Sequence, residues 1–213
     1  MRPDRQQPTG PGGEEGAPDA TMWGQLLIET LSRPRDAAKR VLAAAPDMPV
    51  LIEAAVAVTC LGLVMGFLVG QLSPGVMDPV TQSVLRNPMA GAVFQFAALL
   101  VIVAVTVSAG RMFGGVGDFR GALALVVWLN AAMLALQALQ IGLMVVLPPL
   151  APLVALAALL WAIWAFAGFV AELHGFRNQA VVLGGVLVGM VGLFVALSIV
   201  MAMLGIAPPQ GAG

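Results

Sequence analysis

Residues able to do chemistry are few in this sequence, and they lie near the ends of long apolar runs. The chain has one histidine, His174, one cysteine, Cys60, and no tyrosine. Glu53, Glu172 and His174 could together form an entry site for a proton or an ion. We favour a structural interpretation, in which they fix helix ends at a membrane surface and pair with arginines, because no charged residue lies near the middle of an apolar run.

The sequence predicts no catalytic, cofactor-binding or metal-binding residues. A catalytic nucleophile needs a base beside it and a metal ion needs several ligands, and the residue types present form neither pattern. No glycine-rich loop ends in the Lys-Ser or Lys-Thr pair that holds phosphate, and Cys60 has no partner for a disulfide. We therefore expect that the protein is not an enzyme, holds no cofactor and binds no nucleic acid.

A set of charged residues is expected on one membrane surface. Three belong to the turn RMFGGVGDFR at residues 111–120, whose glycines permit a tight backbone, and three lie where the fourth apolar run ends. Charged side chains enter lipid only at a cost of several kcal/mol. The predicted cytoplasmic charged cluster comprises Arg111, Asp118, Arg120, Glu172, His174 and Arg177.

Amide side chains mark a polar face within the third apolar run. Asn130, Gln137 and Gln140 are seven and three residues apart, so they share one face of a helix. An unpaired amide is costly in hydrocarbon, so this face should point into a helix bundle and form interhelical hydrogen bonds. We interpret the face as structural, and a polar pathway is the alternative.

Two glycine series predict close helix packing. Gly62, Gly66 and Gly70 recur at four-residue steps in the first run, and Gly185 and Gly189 do so in the fifth. Such faces let helix backbones approach closely, within one chain or between two. We expect the first series to pack against the second within one chain.

The elements that position these residues are membrane spans. Hydrophobic residues make up 60% of the 213 residues, charged residues 10%, and the mean hydropathy is +0.95. The apolar runs are each long enough to cross a bilayer as a helix. The predicted fold is all-α, a polytopic bundle of five transmembrane helices in a domain at residues 47–206, with spans at about 50–71, 89–109, 121–147, 152–173 and 180–204.

An amphipathic helix is predicted before the bundle, at residues 22–46. Its apolar positions form one stripe, and Pro34 predicts a break within it. We expect it to lie on the membrane surface, where Arg33, Arg35, Lys39 and Arg40 would meet anionic lipid. Packing against the protein's own loops is the alternative.

Residues 1–21 are predicted to be a disordered tail, and residues 207–213 a short carboxyl-terminal tail.

The basic residues predict the orientation. A cytoplasmic amino terminus places nine of the ten on the cytoplasmic side, namely Arg2, Arg5, Arg33, Arg35, Lys39, Arg40, Arg111, Arg120 and Arg177, and leaves Arg86 outside. Five spans then place the carboxyl terminus outside. We expect a bacterial inner (cytoplasmic) membrane.

Three short motifs resemble the Yip family of five-span membrane proteins, and its prokaryotic branch in particular. They are Leu31-Ser-Arg-Pro-Arg35 before the first span, Gly115-Val-Gly-Asp-Phe-Arg120 before the third, and Trp161 with Glu172-Leu-His-Gly175 around the fourth. The resemblance implies a membrane organiser or an adaptor that contacts another membrane protein, and it supplies no catalytic residues. A small channel or transporter is the alternative function.

Overall fold

The computed structural model describes residues 20–72 and 87–203, and this part of the chain is helical. Residues 1–19 of the predicted amino-terminal tail, the predicted carboxyl-terminal tail and the loop around Arg86 lie outside the described residues, whereas residues 20 and 21 of that amino-terminal tail begin the first helix. The helices are α1 (Ala20–Ser32), α2 (Pro34–Ala43), α3 (Met48–Leu72), α4 (Pro88–Met112), α5 (Phe119–Val146), α6 (Ala151–His174) and α7 (Gln179–Met203), with a 3₁₀ turn at Pro148–Leu150 before α6. The predicted all-α class is confirmed.

Four of these elements are long and apolar enough to cross a membrane. They are Met48–Leu72, Pro88–Met112, Phe119–Val146 and Pro148–His174, and a shorter apolar stretch occupies Gln179–Gly192 within α7. Their outward side chains are exposed and mostly aliphatic. An apolar exterior of this kind is stable in lipid rather than in water, so the fold is a polytopic membrane bundle.

The core of the bundle lies at the end where α5 begins. Seven consecutive residues of α5, Gly121–Val127, are buried on every side. The helix packs there against α3, α4, α6 and α2. Towards the other end of α5, from Met133 onwards, side chains are half-buried or exposed. The bundle is therefore tightly packed at the end where α5 begins, which we call the closed end, and less tightly packed at the other.

The amino-terminal helices α1 and α2 pack on this closed end. The break between them falls at Arg33, where Pro34 has no N–H to continue the helix. Trp161 Nε1 donates to the carbonyl of Leu31, 3.2 Å away, at the end of α1. Gly168 of α6 leaves room for the Pro34 ring, since a Cβ there would lie 3.2 Å from Pro34 Cγ. The helix α2 thus packs against the protein itself, with Pro34, Ala37 and Ala38 buried.

Candidate functional site

The turn between α4 and α5 reverses the chain in six residues. The N–H of Gly114 donates to the Arg111 carbonyl at 3.0 Å, and that of Gly115 to the Gly110 carbonyl at 2.9 Å. Gly114 has φ +84°, in the left-handed region that glycine adopts most readily. Asp118 Oδ1 then accepts from the N–H of Gly121, which caps the start of α5. The turn is therefore compact and internally bonded.

His174, the last residue of α6, binds this turn to the rest of the bundle. Its side chain is 3% exposed. Nδ1 accepts a hydrogen bond from the N–H of Gly117 at 3.1 Å, and Nε2 lies 3.1 Å from the carbonyl oxygen of Thr106 in α4. Both bonds form together when the ring is neutral and carries its proton on Nε2. The histidine thus joins α4, the turn and α6 through backbone groups.

Three glycines leave space for the imidazole. A Cβ at Gly117 would lie 2.6 Å from His174 Cε1, and a Cβ at Gly110 or Gly115 would overlap the ring more closely still. Any larger residue at these positions would displace the ring from its hydrogen bonds. The ring of Phe176 also stacks on the imidazole, with ring centroids 5.6 Å apart. We call this arrangement the His174 site.

Next to the His174 site, three large apolar side chains of the same turn point away from the bundle. Met112 is 85% exposed, Phe113 80% and Val116 82%. We call Met112, Phe113 and Val116 the apolar tip. The exposed Arg111 also belongs to the turn, and its Nε donates to the Gly117 carbonyl at 3.1 Å. The His174 site and this bond fix the backbone from which the apolar tip projects.

The predicted cytoplasmic charged cluster divides into separate contacts. Glu172 was expected to reach water or to pair with Arg111, Arg120 or Arg177; in the structure its Oε2 lies 3.3 Å from Nη2 of Arg35 in α2. The same guanidinium donates to the carbonyls of Phe176 at 3.0 Å and Arg177 at 3.2 Å. A partner in α2 could not be recognised from local spacing, because 137 residues separate it from Glu172.

Arg120 binds the segment between α2 and α3. Its guanidinium donates to the carbonyls of Ala45 at 2.7 Å and Pro46 at 3.1 Å, and lies 3.7 Å from Asp47 Oδ1. Glu53 is exposed on α3. Within the described ranges, no group of three His, Cys, Asp or Glu side chains is close enough to hold a metal ion. Glu53, Glu172 and His174 therefore do not share one site.

A comparison with protein-family models decides the family. The model described as Yip1 domain matches residues 28–199, from the last turn of α1 to α7. The chain belongs to the Yip1 domain family. Searches of curated proteins and of solved structures found no match. The Yip1 domain thus includes the His174 site, the apolar tip and the packing of α2 on α6.

Within the Yip1 domain the three predicted amides are not equivalent. Asn130 Nδ2 donates to the carbonyl of Val126 at 2.8 Å, a bond inside α5 rather than the expected bond between helices. Gln137 and Gln140 are half-buried and line a cavity of about 220 Å³ with Ala155 and neighbouring residues of α6. The expected polar face is thus satisfied locally at one end and borders a cavity at the other.

The two glycine series are not brought together in the part of the Yip1 domain that the structure describes. A Cβ at Gly62 would lie 2.9 Å from Gln95 Nε2 in α4 and 3.9 Å from Leu134 in α5, and a Cβ at Gly185 or Gly189 would have no atom within 4 Å. The expected packing of α3 on α7 is not observed because α3 packs mainly on α5 and α4, whereas α7 packs on α6. Gly66 and Gly70 are half-buried in α3.

The contacts by which several residues organise this end of the domain were not identified from the sequence. Arg35 was expected to bind lipid, whereas its guanidinium closes the end of α6. Thr30 was not singled out, although its Oγ1 accepts from Trp128 Nε1 at 2.9 Å. One signal was present for His174: it is a lone histidine in a chain whose central turn carries Gly115 and Gly117. Matching a ring to small residues 57 positions away required the structure.

Proposed function

We propose that this Yip1 domain protein acts by contact, as a non-enzymatic membrane organiser or as an adaptor subunit for another membrane protein. The apolar tip carries the proposal. Proteins of the Yip1 family are in general non-catalytic membrane proteins. We further propose a bacterial inner membrane location, with the amino terminus and the apolar tip on the cytoplasmic side, supported by the nine-to-one distribution of basic residues.

The apolar tip has the properties of a protein-binding surface. Large apolar side chains that are four-fifths exposed gain free energy when a partner removes them from water. The hydrogen bonds of the His174 site already fix the backbone beneath them, so little conformational entropy is lost on binding. The flanking Arg111 and Arg120 are both exposed and favour a partner segment with acidic residues.

Site-specific crosslinking in native membranes tests this proposal. A photoreactive amino acid replaces Phe113, and in a control it replaces Leu153, which is 63% exposed at the opposite end of the bundle. We expect one membrane protein to be captured in stoichiometric amount from position 113 and not from 153. Val116→Asp should abolish the capture, because it places a charge in the contact. Capture of a second copy of this chain, or equal capture at both positions, would contradict the adaptor proposal.

A small channel or transporter is the second candidate, supported by the cavity beside Gln137 and Gln140. A polar solute inside the membrane needs hydrogen-bonding groups along its path. If the cavity belongs to a pathway, Gln137→Leu should abolish solute flux in proteoliposomes. Asn130→Leu is the matched control, because the Asn130 amide is already bonded to its own helix. Absence of flux in the unaltered protein would eliminate this candidate.

A further inference from the structure

The helix α1 has one side fastened to the bundle and one apolar side left uncovered. Leu26 and Thr30 are buried on the inner side, and the ring of Trp23 packs at a tilt against that of Trp128, with centroids 5.6 Å apart. On the outer side, Ile28 is 67% exposed and Met22 is also exposed. Nothing in the described part of the chain covers these side chains.

The position of α1 along the bundle indicates what contacts its exposed apolar side chains. Trp128, which bonds α1 through Thr30, lies nine residues after the first residue of α5. That separation is about 13 Å along the helix axis, at about 1.5 Å per residue. The part of α1 at Thr30 therefore lies beside α5, about 13 Å along the helix axis from the first residue of α5.

The length of α5 gives a second, independent measure. Its 28 residues extend about 42 Å, whereas the hydrocarbon core of a bilayer is about 30 Å thick. A helix that crosses the bilayer upright would then leave about 12 Å of α5 outside the hydrocarbon. If this excess lies at the closed end, the edge of the hydrocarbon coincides with the level of Trp128 and α1. The closed end is the one rich in charged groups, among them Arg35, Arg120 and Glu172, so the excess belongs there.

The side chains at this level are those that prefer a lipid interface. Trp23, Trp128 and Trp161 contact each other or α1, and tryptophan is enriched at membrane–water boundaries. Arg33 and Lys39 are exposed on the adjoining segment, where anionic head groups would meet them.

We propose that α1 is an in-plane helix embedded in one leaflet, at the boundary between the head groups and the acyl chains, and that its outer face binds lipid. The closed end of the bundle, with the apolar tip, stands in water beyond that leaflet. The inference rests on the proposed contact function and adds to it a contact with lipid. Because α1 occupies area in one leaflet only, it favours membranes that curve towards that side.

Depth-dependent quenching of a fluorescent label tests the placement. The exposed Cys60 is first replaced by Ser. Single cysteines are then introduced as Ile28→Cys and Met22→Cys on α1, and as Val116→Cys in the apolar tip, each at an exposed position. The variants are labelled with an environment-sensitive dye. They are reconstituted in phosphatidylcholine–phosphatidylglycerol vesicles with spin-labelled lipids, and iodide is the aqueous quencher.

We expect labels at positions 22 and 28 to be quenched several-fold more by lipids with the spin label near the head group than by iodide. The label at position 116 should show the reverse preference. Strong iodide quenching at position 28 would place α1 in water and overturn the proposal. Protection from both quenchers would show that protein covers α1, and lipid quenching at position 116 would place the turn in the leaflet; either result also overturns it. Crosslinking from position 113 detects protein and not lipid, so failure of one proposal can be distinguished from failure of the other.

Discussion

Gly110→Ala is expected to destabilise the protein through His174 alone. Position 110 is helical, so the alanine gains up to about 1 kcal/mol of helix propensity. The new methyl group, however, overlaps an imidazole that is held by hydrogen bonds at both nitrogens. Overpacking of this kind costs about 1–3 kcal/mol, and the bonded ring cannot move aside, so the cost should lie near the upper limit.

The expected net loss is about 1–2 kcal/mol, from the overpacking and helix-propensity terms together. For a chain of this length it corresponds to a fall in melting temperature of about 2–8 °C. The assay is thermal unfolding in detergent, followed by tryptophan fluorescence. Gly142→Ala is the matched control, because it lies in a helix and a Cβ there has no atom within 4 Å. Its melting temperature should stay unchanged or rise.

The decisive comparison uses the His174→Ala background. That change leaves the N–H of Gly117 without its partner, at about 1–3 kcal/mol, whereas the carbonyl of Thr106 keeps its bond within α4. It also removes the ring that the methyl group would meet. Gly110→Ala should therefore be neutral or stabilising in this background, a reversal of sign. An equal fall in melting temperature in both backgrounds would refute the reasoning.

Three further outcomes are expected. Gly62→Leu should lower the melting temperature in detergent slightly, because its side chain must displace the end of Gln95 in α4 and extends towards Leu134 in α5, whereas Gly185→Leu should leave the monomer unchanged. A reporter active only outside the cytoplasm should be inactive when fused after position 115 and active after position 147, and the reverse would contradict the orientation. Arg35→Ala should increase proteolysis between α1 and α2 in membranes, because it removes a half-buried ion pair and two bonds to backbone carbonyls; an unchanged digestion pattern would show that other contacts hold α2.

The helices could be predicted because their signal is local. Runs of more than 18 apolar residues specify spans wherever they occur, and Pro34 and Gly114 mark a break and a turn through their own backbone preferences. The helix α5 was predicted at about 121–147 and is observed at Phe119–Val146. Residues inside such runs need no particular neighbour, since lipid solvates them equally well.

The site could not be predicted to the same extent because its contacts are not local. The bonds of His174 join residues 57 and 68 positions apart, and Arg35 reaches carbonyls more than 140 positions away. A charge near a helix end can pair with any opposite charge at that surface, so local spacing did not point to Arg35 as the partner of Glu172. The glycine series failed for a related reason: spacing shows that a helix can approach, and only the packing order shows which one does.

The docking of α2 on α6 constrains how the protein is made. Arg35 lies near the amino terminus and is synthesised early. The carbonyls that its guanidinium binds belong to Phe176 and Arg177, which are synthesised much later. During synthesis from the amino terminus, α2 therefore cannot dock on α6 until the four long apolar helices α3 to α6 have been made. A chain that stalls after α5 would lack the α6 surface, including Gly168, against which Pro34 packs. Synthesis of the residues just after α6 is thus the step at which α2 can first make all of these contacts.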